Sequence, residues 1–341
     1  MVPPKRATIG DIARLAGVSA GAVSFALNGR PGVSEATRAR ILAIAQELQW
    51  RPNMAARTLV GARTGVIGLA VNRPARTLGA EAFFADLISG IQSGLTRTRT
   101  AMHLRVAVSL EDELEIYREW HGSQQVDGVI LIDPRDDDPR LPLLRDVGLP
   151  AVVIGSHPAP QDGPTAVWID DDHTANTLFD YLVALGHRHI AYLAGPAAFE
   201  HTALRVAAFN RLQASGVRTE TVYTDYLPAS AVIGTRRLLS SRERPTAIVF
   251  DNDVLAVAGL RVVQEMRVEV PGAISLASFD DSVIAGLVHP SITCMTRDTF
   301  ELGEVAATTL MEQLDSPGPL PSRTGPQPVL TVRESTSPPR G

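Results

Sequence analysis

The stretch Thr8–Asn28, TIGDIARLAGVSAGAVSFALN, decides how the amino-terminal part of this chain is read. Thr8 followed three residues later by Asp11 has the spacing of a capping box, in which two side chains satisfy orphan N–H groups at a helix start. Ile9, Ile12, Ala13 and Ala16 follow at i, i+3, i+4 and i+7, which predicts a short helix with one apolar face. Gly17 ends it, Val18-Ser19 turns the chain, and Ser19 caps a second helix running to about Leu27. On that helix Val23 and Leu27 point one way, while Ala20, Gly21, Ser24 and Phe25 point the other; Asn28-Gly29 stops it. Ser34 caps a third helix, on which Ile41, Ala45 and Leu48 repeat at helical spacing. Two short helices about a Gly-containing turn, with a third behind them, predict a helix-turn-helix unit whose second helix suits a major groove. A plain three-helix bundle is the competing reading.

Charge argues against the plain bundle. Residues 1–64 carry nine basic and three acidic residues, a net of +6, whereas the rest carries 23 basic and 34 acidic residues, a net of −11. A basic head on an acidic body is the pattern of a nucleic-acid reader joined to something else. Lys5 is the only lysine, which excludes phosphate-loop and Schiff-base chemistry. Cys294 is the only cysteine, so no intrachain disulfide forms. There is no HExxH, GxSxG or paired-cysteine signature, so no metal, cofactor or catalytic set is expected. No apolar leader and no run approaching 18 apolar residues is present; the expectation is a cytoplasmic protein with no membrane partner. At 341 residues the chain suits two or three domains.

Arg51–Arg63, RPNMAARTLVGAR, joins head to body. Pro52-Asn53 opens a turn, Met54–Val60 is compatible with about two helical turns, and Gly61 stops it. So short a helix is marginal in water and should form only when something supports it. Ala55, Ala56 and Leu59 make a small apolar face on which two copies could approach; an ordinary interdomain linker is the alternative.

From Gly65 onward short apolar strands alternate with amphipathic helices. Strands are predicted at 66–71, 104–108, 128–132, 151–154, 190–193, 246–250 and 274–277, with helices such as 84–95, 174–185 and 254–266 between them. The alternation predicts two doubly wound parallel-sheet subdomains with ligands at the carboxyl ends of the strands. The Pro- and Gly-rich His157–Thr165 is read as the break between them. The fold class expected is therefore an all-α helix-turn-helix head plus an α/β body. Asp136–Asp138 reads as a solvated loop, and Asp170–Asp172 as the acidic start of a helix. His187 and His189 in GHRH suggest a metal less than they suggest a turn capped by Gly186.

Residues 8–59 resemble the DNA-binding head and hinge of the LacI/GalR family of bacterial transcription regulators. The likeness continues through EAFFADLISGI (81–91), VDGVIL (126–131), ALGHRHIAYLAGP (184–196), FDND (250–253), SFDDS (278–282), HPSIT (289–293) and VRESTSPP (332–339). The resemblance implies a head at 1–50, a hinge at 51–64, a first subdomain at 65–160 with 291–330, a second at 161–290 and a terminal strand and tail at 331–341. It implies a body like periplasmic sugar-binding proteins and three passages of the chain between subdomains. By the same likeness, Ala20, Gly21 and Phe25 read bases and Leu59 wedges into the minor groove, while phosphate contacts are expected from Ser19, Ser24 and Asn28. Family members often carry polar side chains at the reading positions, so direct readout here should rest on apolar contacts.

Effector contacts implied by the resemblance are Phe84, Arg205, Tyr226, Asn252 and Asp280; His201, four residues before Arg205, is a further candidate. Arg, Asn and Asp at strand ends suit paired hydroxyls, and an aromatic face suits a sugar's C–H side. Phe84 equally fits a core stripe with Leu87, Ile88 and Ile91, and Arg205 with Asp280 equally fits a structural ion pair. The function expected is a homodimeric repressor released from a double-stranded, pseudo-palindromic operator by a small, sugar-like effector. The competing expectations are a purine- or nucleoside-responsive co-repressor system, a solute-binding protein with no role on DNA, and an enzyme on the same α/β body.

Overall fold

The structure is a computed structural model and describes residues 7–27, 29–50, 63–75, 77–155, 157–158, 163–316, 318 and 320–340. The hinge reading, Leu59 included, and Asn28 lie outside these residues. The chain divides into two compact units, 1–64 and 65–341.

In the first unit, α1 (Ile9–Ala16) starts on the expected capping box. Thr8 accepts from the Asp11 N–H, and Asp11 accepts from the Thr8 N–H at 2.9 Å. Gly17 ends the helix in the left-handed region at φ 65, which a side-chain-bearing residue adopts only with strain. Helix α2 (Ala20–Leu27) crosses α1 at 103°, within the range of helix-turn-helix pairs. Helix α3 (Glu35–Glu47) is capped by Ser34. Ile12, Ala13, Ala16, Val23, Ala26, Ile41 and Ala45 form its buried core, and Trp50 packs at the margin. Leu27 and Leu48 sit at its half-buried margin, and Ala26 takes the central place that the sequence reading assigned to Leu27.

The second unit holds two six-stranded sheets. The first has the order β11-β5-β4-β3-β1-β2, built from β1 (Val66–Val71), β2 (Ala101–Val106), β3 (Gly128–Leu131), β4 (Ala151–Gly155), β5 (Thr165–Trp168) and β11 (Arg323–Thr324). The other has the order β12-β10-β9-β8-β6-β7, from β6 (His189–Ala194), β7 (Arg218–Tyr223), β8 (Ala247–Phe250), β9 (Ser275–Ser278), β10 (Thr293–Thr296) and β12 (Val329–Thr331). All pairings are parallel except β10 with β12. Helices α4 (Ala82–Leu95), α5 (Leu110–Gly122), α6 (Arg140–Val147), α7 (Asp171–Ala184), α8 (Glu200–Arg211), α9 (Pro228–Leu239), α10 (Asp253–Glu265), α11 (Val283–Leu287) and α12 (Thr299–Asp315) complete the unit.

The chain passes between the sheets after Trp168, after Thr296 and after Thr324. These points differ from the boundaries read at 160/161 and 290/291. The Pro/Gly cluster at 157–165 joins β4 to β5 inside the first sheet, and Pro290 precedes a strand that still pairs with β9. Turn residues mark a change of direction, and that does not require a change of sheet.

Helix α12 returns late in the chain to lie against α4. The two approach backbone to backbone through Gly90 and Gly303, where an added Cβ would overlap the Phe300 and Leu87 carbonyl oxygens respectively. Leu302, Ala306, Ala307 and Leu310 of α12 join Ile67, Leu69, Phe84, Leu87 and Ile91 in one buried cluster. No single helix among the described residues is long and apolar enough to cross a membrane.

Candidate functional site

On the head, Ala20, Gly21 and Phe25 are exposed along α2 and Ser24 is half-buried beside them. At 100° per residue Gly21 and Phe25 lie on the side of α2 away from buried Val23, whereas Ala20, three residues before Val23, lies nearer to it. Phe25 is 42% exposed, a cost that a large apolar ring bears at a contact surface more readily than elsewhere. Ser19 Oγ accepts from the Ala22 N–H at 3.2 Å, which leaves its hydroxyl proton to donate.

In the body, a cleft between the two sheets is lined by His201, Arg205, Tyr226, Asn252 and Asp280, together with Arg73, Glu81, Phe83, Asp133, Asp171, Asp251 and Arg297. The cleft is open to solvent on one side. The lining comes from the carboxyl ends of strands: Arg73 follows β1, Asp133 follows β3, Asp251 and Asn252 follow β8, and Asp280 follows β9.

Arg205, 4% exposed, stands at the centre. Its Nε and Nη2 donate to Asp171 Oδ1 at 3.0 and 2.7 Å, and Nη1 donates to Asp251 Oδ1 at 3.1 Å. Its guanidinium lies 4.6 Å from the centre of the Phe279 ring, which caps an aromatic cluster of Phe179, Tyr192 and Phe209. Asp251 also accepts from the hydroxyls of Tyr192 and, at 2.5 Å, Tyr226. Burial pushes the Asp251 pKa up, but Arg205 and the two hydroxyls outweigh it and hold the carboxylate below its ordinary range. His201 is buried beside Arg205, and both effects lower its pKa against the pull of Asp251, so the ring is neutral. Because the Tyr226 proton goes to Asp251, His201 donates from Nε2 to the Tyr226 oxygen, 3.0 Å away.

The same arrangement recurs twice. Arg73 pairs with Asp133 through Nε at 3.0 Å and Nη2 at 2.9 Å, and its guanidinium lies 4.1 Å from the Tyr226 ring and 4.6 Å from the Phe199 ring. Arg297 pairs with Asp280 at 2.7 Å and lies 5.1 Å from the Phe83 ring. Each cleft arginine is thus held edge-on by a carboxylate and covered by an aromatic face, which fixes the direction of its remaining N–H groups.

Two supports hold this geometry. Asp133 and Tyr226 both have left-handed backbones, at φ 50 and φ 64, a conformation that persists only where the surroundings impose it. Buried Arg140 donates to the Asp133 carbonyl at 2.7 Å and the Ile132 carbonyl at 3.1 Å, while its charge is met by Glu113 at 2.7 Å and Asp138 at 2.6 Å. Asp138 is therefore a buried ion-pair partner, which corrects the reading of 136–138 as a solvated loop. Tyr226 is seated over Gly195, where any Cβ would overlap its hydroxyl.

Phe84 is corrected likewise. It is fully buried with Leu87 and Ile91, because the i, i+3, i+7 stripe of α4 faces the sheet; its neighbour Phe83, turned about 100° around the helix, lines the cleft instead. Arg205 and Asp280 are not paired to each other; each has its own partner. Asn252 caps α10, accepting from the Leu255 N–H at 2.9 Å, and its Nδ2 is buried with no partner. Arg73 Nη1, Arg297 Nε and Glu81 Oε1 are buried and unpartnered in the same way. Among the described residues no group of three His, Cys, Asp or Glu side chains could hold a metal ion. His187 instead bonds Thr246, Ser275 and the Ser337 carbonyl, fastening the carboxyl-terminal tail.

Glu81 carries a measurable consequence. Burial raises its pKa to about 8, with Asp133, Asp280 and Asp253 reinforcing the shift and Arg73 opposing it. The folded state therefore holds a proton that the unfolded chain releases near pH 4.5, so this group's contribution to stability is full at low pH and declines as pH rises toward about 8. Urea titrations between pH 5 and pH 8 should show Glu81→Gln gaining on the parent protein by on the order of 1 kcal/mol per pH unit. Parallel curves would place the carboxyl outside the titrating set.

Comparison with known proteins follows the same division. Residues 8–53 match the family described as bacterial regulatory proteins, lacI family, and residues 179–336 match the periplasmic binding protein-like domain. The chain is 31% identical to the HTH-type transcriptional regulator CelR of Thermobifida fusca, over 97% of this chain and 98% of that one. A solved complex of CelR with cellobiose is similar at TM-score 0.71 and 29% identity, covering 97% of this chain and 100% of that one. The lac repressor dimer bound to operator and the anti-inducer ONPF shares the fold at TM-score 0.82 and 24% identity, covering 98% and 100%.

Proposed function

Because this chain belongs to the LacI family of bacterial regulatory proteins and is a DNA-binding transcription regulator, we propose that it acts as a homodimeric repressor released from a pseudo-palindromic operator by a small sugar. The observation that carries the effector reading is the cleft itself. Donor atoms of Arg73, Arg297 and Asn252 and one carboxyl oxygen of Glu81, all on residues that line the cleft, are buried with no protein partner of their own. A sugar hydroxyl both donates and accepts, so a ring bearing several of them satisfies such a mixed set. His201, Arg205, Tyr226, Asn252 and Asp280 are the proposed contacts, with Phe83 in place of Phe84. CelR has been solved with cellobiose, which makes β-linked disaccharides the first class to try.

Dimerisation is supported by α11, where Val283, Ile284 and Leu287 expose 78%, 56% and 79% of their surface on one side of a short helix. Two heads related by a twofold axis would then read half-sites with Ala20, Gly21 and Phe25. Ser19, Ser24 and Asn28 would hold phosphates, and Leu59 would wedge the central step. A sugar that binds better when the heads are off DNA must be bound less well when they are on it, by the same factor.

The test uses full-length protein. Its operator is selected from a random duplex pool, and binding is followed by fluorescence anisotropy with and without panels of carbohydrates and nucleosides. A twofold-symmetric consensus and release by one carbohydrate class are expected. That ligand should also add about 2.7 kcal/mol of stability at a hundredfold excess over its Kd. Purines or nucleosides as the only active compounds would overturn the sugar assignment and favour a co-repressor system.

A further inference from the structure

We propose that the cleft is built to accept an uncharged sugar and to reject its phosphorylated and carboxylated derivatives, with Asp133, Asp171, Asp251 and Asp280 as the residues that enforce the choice. This rests on the sugar reading above and narrows it to one chemical class.

The argument is one of charge already committed. Three guanidiniums face the cleft, and an arginine in such a place ordinarily suits a phosphate or a carboxylate, whose two oxygens match its fork. Here each guanidinium already has a carboxylate partner. Arg73 gives two N–H groups to Asp133, Arg205 gives three to Asp171 and Asp251, and Arg297 gives one to Asp280. Four aspartates thus meet three arginines, and the balance over these groups is −1 before Glu81 is counted. His201 contributes no positive charge, since burial and Arg205 keep it neutral.

Among the residues that line the cleft, an incoming anion would find no arginine without a carboxylate partner. It would also approach Glu81, whose carboxyl is 6% exposed and, once ionised, adds a second negative charge. Burial raises the pKa of that group to about 8, and Asp133, Asp280 and Asp253 add to the shift against Arg73. The aromatic faces lead to the same reading. Phe83, Tyr226 and Phe199 each carry an arginine on the ring, so the guanidiniums cannot swing toward a new anion without leaving both an aromatic face and an aspartate.

What remains available is neutral recognition. Arg73 Nη1, Arg297 Nε and Asn252 Nδ2 are donors, and the Glu81 carboxyl accepts, or when protonated both donates and accepts. Three donors and one adaptable group on residues that line the cleft suit hydroxyls. An ammonium, which only donates, would leave the three donors unpaired.

The decisive measurement is calorimetric titration of the full-length protein with matched trios. The parents are glucose, galactose, cellobiose and maltose, and each is compared with its 6-phosphate and its uronic acid. At least one neutral parent is expected to bind, with both of its anionic derivatives weaker by about tenfold or more, the scale of like-charge repulsion in a partly buried site. Asp133→Asn unbalances the charge of Arg73 and should shrink that gap by about tenfold, and Asp280→Asn should do the same through Arg297. If a variant fails to fold, the trio measured on the parent protein decides alone. A phosphate or uronate that binds as tightly as its neutral parent overturns the selectivity while leaving the sugar reading standing. No binding by any sugar, charged or neutral, overturns both.

Discussion

Replacing Arg205 with alanine is expected to lower the stability of the body by about 3–5 kcal/mol and to abolish the response to effector. The size follows from what is left behind. Asp171 and Asp251 are 5% and 1% exposed, and Arg205 is the shared cation that makes their ionised forms tolerable. Removing it strands two carboxylates in a site too dry to solvate them, and removes the plane that covers Phe279. The loss should shrink in acid, and the sign is fixed. In the parent protein the Asp251 pKa is depressed, so its contribution is present above the unfolded value of 3.8 and is lost as pH falls through the lower folded value. In the variant the stranded carboxylates bind protons more readily than the unfolded chain does, so the variant gains where the parent loses. Urea midpoints followed by far-UV circular dichroism at pH 7 and pH 4 would measure both effects. A variant within 1 kcal/mol of the parent at pH 7 would mean that water reaches these carboxylates and that the network contributes little.

Gly90→Ala is expected to destabilise the first subdomain by about 3 kcal/mol, against the gain of about 1 kcal/mol that alanine ordinarily brings to a helix interior. The Cβ would overlap the Phe300 carbonyl oxygen, and a backbone atom cannot rotate aside as a side chain can. Helices α4 and α12 would have to separate, opening the cluster that holds Leu87, Ile91, Leu302 and Ala306. Gly122→Ala supplies the control, because nothing lies within 4 Å of its added Cβ. It should be neutral or slightly stabilising, and the two melting temperatures should move in opposite directions.

Much of this architecture was legible before any coordinate. The capping box at Thr8, the αL stop at Gly17 and the strand Val66–Val71 follow from local spacing, since each is enforced by neighbours a few residues away. Strands β7 and β10 were not legible. RTETVY alternates too little and lies at a sheet edge, and TCMT is too short and too polar to register as buried. For the cleft, His201, Arg205, Tyr226, Asn252 and Asp280 were anticipated from motif likeness, and the structure brings them together.

Arg73, Glu81, Asp133 and Arg297 were missed because their place in the cleft depends on segments brought together by the fold. Arg73 and Asp133 stand 60 positions apart. One signal was present: a charged residue directly after an apolar parallel strand, as with Asp133 after GVILI, points to the end of the sheet where ligands collect. Asp251 and Phe83 lay inside quoted motifs beside residues that were chosen, Asn252 and Phe84. Their neighbours' claims came from likeness and from a helical stripe whose phase had to be fixed by one residue.

The late return of α12 has a consequence for how the protein is made. Ser93 and Glu304, which bond across the α4–α12 contact, are separated by 211 positions. At about 5–20 residues per second a ribosome needs roughly 10–40 s to traverse that interval. Throughout it the head, whose described core residues lie between Ile9 and Trp50, is already synthesised. The first subdomain still lacks its closing helix, and without that helix the cleft has only part of its wall. A product released before residue 299 would carry an operator reader that no effector could govern, which makes complete translation a condition of control and not only of stability.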